Sequence, residues 1–252
     1  MPDPYIDVAG LKKNLANFFG EEYTDLSKFG STINQTFEAF VFASTIAWYR
    51  TNGWNVELIH PAGKKGKSRN ECHLKFSPMG APKNYSYAMC IREEQRVQIR
   101  HQLRVATAHY RPENEYKANV TLDVAVIYDT DLSEYNTNEH LPNNRLVTFG
   151  EAKHMTAFAE LMAGFLGLVH EQQPHRMMSG PHKELNHLRP FLYVSGWMNG
   201  TACGIAETIK QRGYDIQIYW VDNRLVEDIA ITITKKKRKP KAKKKAQSVG
   251  AL

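Results

Sequence analysis

The chain is poor in the features that would place it outside the cell or in a membrane. It has three cysteines, Cys72, Cys90 and Cys203, with no CxxC pair, so neither a disulfide framework nor a cysteine-rich metal knuckle is expected. No apolar run approaches the roughly 20 residues that span a bilayer, so no membrane association is expected. The opening Met1-Pro2-Asp3-Pro4 lacks the basic start and apolar stretch of a secretory signal. A reducing interior is the expected setting: cytoplasmic, or nuclear in a eukaryotic source. The segment Pro61–Arg69 (PAGKKGKSR) lacks the glycine spacing of a phosphate-cradling GxxxxGK[ST] loop. His170, His175, His182 and His187 have no second ligand type at a recognised spacing, so they do not read as a zinc site.

Excess charge is also missing from most of the chain. The formal net charge is +7, but residues 235–245, KKKRKPKAKKK, hold nine of the 33 Lys and Arg. The remainder has 24 basic side chains against 26 acidic ones. A run of like charges cannot collapse into a core, so 235–252 is expected to be a disordered tail attracted to phosphate backbones through counterion release. Residues 1–32 read as an N-terminal extension with a short helix at 11–19, and 33–234 as the folded domain. With 252 residues and 42% hydrophobic content, the chain is long enough to bury a sizeable core.

Periodicity gives the order of elements. Phe37, Phe40, Val41 and Trp48 recur at helical spacing, with a capping pattern Thr32-x-x-Gln35 before them and Gly53 after. Strands are expected at 54–59, 85–91, 96–107, 120–128, 145–153, 191–197 and 215–221, and further helices at 156–171 and 200–212. This is an α/β fold with a mixed sheet flanked by α-helices. In strand 96–107, Val97, Ile99, Leu103 and Val105 share one parity, and Gln98, Arg100, Gln102 and Arg104 the other. That pattern predicts a half-buried strand with a basic outer face.

Three charged residues sit where charge is costly. Asp123 interrupts the apolar strand VTLDVAVIY, and Glu151 and Lys153 end RLVTFGEAK two residues apart, on one side of their strand. Antiparallel pairing around a loop near 130–144 would set Asp123 opposite Glu151. Two carboxylates so placed suit a hard divalent cation, and the lysine suits orienting or deprotonating water and neutralising charge on a phosphorane. Gly150 predicts a bulge or a close backbone approach.

The arrangement Asp123…Glu151-Ala152-Lys153 resembles the PD-(D/E)xK, or restriction-endonuclease-like, nuclease superfamily over about residues 33–221. Leu122 stands where the superfamily's name-giving proline would be. The resemblance implies a restriction-endonuclease-like sheet and Mg²⁺-dependent hydrolysis of DNA phosphodiesters in defence, repair or recombination, with Mn²⁺ as a substitute and RNA as the other substrate. It implies metal ligation by Asp123, Glu151, the Ala152 carbonyl and Glu38 of the first helix, with Lys153 on the attacking water. Arg100, Arg104, Lys64 and Lys65 are the expected nucleic-acid contacts, and a homodimer or partner protein the expected aid to substrate binding. The rival reading is a non-catalytic nucleic-acid-binding or scaffold module on the same fold.

Overall fold

A computed structural model describes residues 5–21, 25–61, 71–178, 186–220, 222–225 and 233–234. Lys64, Lys65 and the basic segment 235–252 lie outside these residues.

The central element is helix α2, Ile33–Thr51. Thr32 caps it, its Oγ1 accepting from the Gln35 N–H at 3.3 Å, and the Gln35 Oε1 accepts from the Ser31 N–H at 2.8 Å. The pair supplies the reciprocal side-chain bonds that a helix start needs, shifted one residue upstream from the usual box. Twelve residues of α2 are buried, more than one apolar stripe would provide. The reason is α1, Val8–Phe19, capped by Asp7 and ended by Gly20 at φ 67°. Leu11, Leu15, Ala16 and Phe19 of α1 join the α2 core, so the segment that reads as an extension in the sequence is part of the same packed body.

The strands β2 (Asn55–Ile59), β3 (Tyr87–Arg92), β4 (Gln95–Ala106), β5 (Asn119–Tyr128), β6 (Leu146–Lys153), β7 (Phe191–Val194) and β8 (Gln217–Tyr219) form a seven-stranded sheet in that spatial order. Pairing is antiparallel from β2 to β6 and parallel from β6 through β7 to β8. The two parallel steps cross over through helices α3 (Ala159–Gln172) and α4 (Gly200–Gln211). A short separate ladder joins β1 (Tyr5–Ile6) to β9 (Ile233–Thr234).

Alternation along β5 divides the interior in two. Val124 and Val126 pack with α1 and α2, whereas Ala125 and Ile127 pack with α3 and α4. Both faces are therefore covered, and β5 is apolar on both parities for that reason. β4 departs from simple alternation. Val97 and Ile99 belong to the α2 core, but Leu103 and Val105 belong to the other. Between them, Gln102 adopts φ 51°, a left-handed conformation uncommon for a side chain of its size. β5 makes the same change, Leu122 packing with α3 and α4 although Val124 packs with α1 and α2, so both strands change face between the pairs His101–Val124 and Leu103–Leu122, beside the charged residues described next.

Candidate active site

β5 and β6, after a register shift between Val126 and Ile127, pair as far as Val124 and Gly150, which leaves Asp123 level with Glu151 at the next step. There β6 continues alongside β7, Gly150 pairing with Phe191 and Glu151 with Leu192. The Ala152 N–H donates to Asp123 Oδ2 at 2.9 Å. The aspartate thus takes the place of a strand carbonyl, which fixes its carboxylate against β6.

The Lys153 Nζ donates to both acids, at 3.0 Å to Asp123 Oδ2 and 2.9 Å to Glu151 Oε2. All three expected residues therefore meet in one cluster. Burial holds the two acids apart from bulk water, Asp123 being 8% exposed and the Glu151 side chain 12%, whereas the Lys153 side chain is 39% exposed. Gly150 is required by space here. A Cβ on it would lie 2.1 Å from the Phe191 ring, so the close approach expected from the sequence is made by an aromatic ring packed on the backbone.

Glu38 approaches from α2. Its Oε2 accepts from Gln102 Nε2 at 2.8 Å and stands 3.9 Å from His101 Nε2. Burial raises the Glu38 carboxyl to about 7, with the charge of Asp123 adding to the rise. Burial also raises Glu151 to about 8, again with Asp123 adding to the effect and Lys153 opposing it. His101 is buried and pushed down to about 4, so it is a neutral imidazole at pH 7. Two carboxylates thus face one ammonium, with Glu38 in electrostatic range of both Asp123 and Lys153, and the repulsion among the acids favours either protons or an added cation.

Lys153 is held in its charged form. Burial opposes the charge, but Glu151 and Asp123 outweigh it and raise its pKa above the ordinary lysine value. An ammonium so held can orient water and stabilise developing negative charge. The Ala152 contact with this cluster is made by its N–H, which braces Asp123.

The test of a divalent ion is the donor set. Among the described residues, no three His, Cys, Asp or Glu side chains stand as ligands around one point. Magnesium, however, is commonly held by one or two carboxylates plus substrate phosphate and water. Glu151 Oε1 is buried without a hydrogen-bond partner among the described residues, an acceptor with a site to offer. Asp123 and Glu151 therefore fit such an ion, with Glu38 nearby as a further acceptor.

The other expected contacts fare differently. Arg100 does not lie on an exposed basic face. It is 6% exposed, its guanidinium donates to Gln98 Oε1 and the Pro82 carbonyl, and it stacks at 3.6 Å over Tyr87. Arg104 is half-buried and donates to the carbonyls of Thr137 and Pro78, at 3.4 and 3.5 Å. The loops at 76–86 and 130–141 cover this side of β4, which alternation alone does not reveal. His154 hydrogen-bonds Ser195 Oγ at 2.7 Å. Gln102 and His101 are site residues that the sequence does not single out. Alternation places Gln102 with the outward polar parity, and nothing in its identity signals a positive φ.

No family model, no curated protein and no solved structure matches this chain.

Proposed function

We propose that the chain hydrolyses phosphodiester bonds in DNA with Mg²⁺ or Mn²⁺, on a restriction-endonuclease-like sheet. The observation that carries this reading is the Lys153 ammonium bridging Asp123 and Glu151 where β5 and β6 part company. Asp123 and Glu151 would hold the ion, with Glu38 as the third acid. When bound, the ion would polarise the scissile phosphate and acidify a coordinated water.

The chain's own residues have distinct tasks. Lys153, positively charged, stabilises negative charge developing on the phosphate oxygens and orients the attacking water. The Ala152 N–H keeps Asp123 in place. Glu38 would add its carboxylate to the ion or to a coordinated water, and the Gln102 amide fixes that carboxylate at 2.8 Å. The left-handed strain at Gln102 is consistent with a position shaped for function.

A second reading, the non-catalytic nucleic-acid-binding or scaffold module, draws support from one observation. Lys153 pairs with both acids, and such a triad can serve as a structural ion cluster. Incubating the purified chain with supercoiled, linear and single-stranded DNA, and with RNA, in Mg²⁺, Mn²⁺ or EDTA separates the two. Metal-dependent cleavage abolished in Asp123→Ala, Glu151→Ala and Lys153→Ala supports the enzyme. Binding without cleavage in every metal supports the module.

A further inference from the structure

Away from the acid cluster, β3 and β4 and the loops around residues 83 and 131 enclose a cleft of about 550 Å³. Its wall includes Arg100, a guanidinium taken almost wholly out of water, whose hydrogen-bond partners among the described residues are all neutral. They are Gln98 Oε1 at 2.7 and 2.9 Å and the Pro82 carbonyl at 3.3 Å. Lys83, exposed on the same wall, donates to the Ser133 carbonyl at 2.7 Å, again a neutral acceptor. The two aspartates of the cleft are engaged with other groups, and the charge of Asp129 also acts on Arg100. Asp129 pairs with Arg96 and accepts from Gln98, while Asp131 accepts from the Ser133 N–H and hydroxyl. His60, also on the wall, is hydrogen-bonded to Ser86 Oγ.

A buried cation whose hydrogen-bond partners are neutral is costly; Asp129 offsets part of that cost without bonding to it, and an anion that reaches the guanidinium offsets more. Guanidinium geometry matches phosphate and carboxylate oxygens. Tyr85 and Tyr87 line the same cleft; His73 covers one face of Tyr85 and Arg100 one face of Tyr87, so a nucleobase would stack on the opposite face of either ring.

We propose that this cleft is a second binding site, for a nucleotide whose phosphate lies against Arg100 and Lys83 and whose base lies against Tyr85 or Tyr87. The nucleotide is either free or the phosphorylated end of a strand. The site goes beyond the hydrolytic reading and does not depend on it.

Calorimetric titration of the full chain with AMP, adenosine, and a short oligonucleotide with and without a 5′ phosphate tests the site. AMP should saturate the protein, with adenosine at least tenfold weaker. Lys83→Ala, an exposed change that leaves the fold intact, should weaken AMP several-fold. Arg100→Gln should weaken it tenfold or more, its melting curve reporting whether it folds. Glu151→Gln should leave AMP affinity unchanged. A preference for the phosphorylated over the unphosphorylated strand assigns the site to strand ends, and binding of AMP without that preference assigns it to a free nucleotide. Absence of phosphate-dependent binding by any ligand would overturn the proposal. So would wild-type AMP affinity in Lys83→Ala, or loss of AMP binding in Glu151→Gln, which would put the nucleotide at the acid cluster.

Discussion

Replacing Gly150 with alanine inserts one methyl group at the point where β6 turns from β5 towards β7. The new Cβ would stand 2.1, 2.4 and 2.6 Å from three carbons of the Phe191 ring. Phe191 is fully buried and packs edge-on against Tyr219 at 5.7 Å, so the ring has little room to swing away. Overpacking of this kind costs about 3 kcal/mol, at the upper end of its usual range. The reduced freedom of the unfolded chain returns roughly 0.5–1 kcal/mol. The net loss should be about 2 kcal/mol, or a fall in Tm of roughly 4–8 °C for a chain of this size. Urea unfolding and thermal melts measure it. Phe191→Leu in the same chain should relieve the clash, so the double variant should be at least about 1 kcal/mol more stable than the two single losses predict. Strict additivity, or a Gly150→Ala variant within about 0.5 kcal/mol of wild type, would rule out a ring packed this tightly on the backbone. Because Glu151 and Lys153 follow directly, the same variant should also weaken any activity that depends on their alignment with Asp123.

Other expectations rest on charge and capping. In EDTA, Glu38 and Glu151 have raised pKa values, so the stability they contribute is complete below about pH 4.5 and is lost as pH rises through about 7–8. The wild type should therefore lose stability more steeply than Glu151→Gln as pH rises from about 5 to about 8; parallel curves would contradict it. Asp215 is 2% exposed and paired with Arg176 and Arg189, so Asp215→Ala should destabilise the fold by about 3–5 kcal/mol in urea titrations. Thr32→Ala, which removes the α2 cap, should cost about 1 kcal/mol in the same assay.

The parts of this fold that can be read in the sequence are those where one residue type conflicts with its surroundings. Asp123 in an apolar strand and Glu151 with Lys153 at the end of another are such conflicts, and the structure brings them together at hydrogen-bond distance. The helix Ile33–Thr51 is legible from its cap and spacing. What is not legible depends on contacts distant in sequence. Arg100 and Arg104 read as outward by alternation, yet their strand is covered on that side by loops, the Pro82 carbonyl accepting from Arg100 and the Thr137 carbonyl from Arg104. The change of face that β4 shares with β5, and the positive φ of Gln102 beside it, leave no signal in residue type. α1 reads as an extension because a 12-residue helix shows its partner only once α2 is in place.

If the acids on β5 and β6 form a cation-dependent hydrolytic site, ion binding and cleavage must be lost together. Thermal melts at about pH 8 with and without Mg²⁺, run beside plasmid cleavage for wild type and Asp123→Asn/Glu151→Gln, read both at once. At an ion concentration about 100 times the dissociation constant, stabilisation should approach about 2.7 kcal/mol in wild type. Both that stabilisation and nicking should be absent from the double variant. An equal Mg²⁺ response in the two proteins, or cleavage that persists in the variant, would be incompatible with such a site.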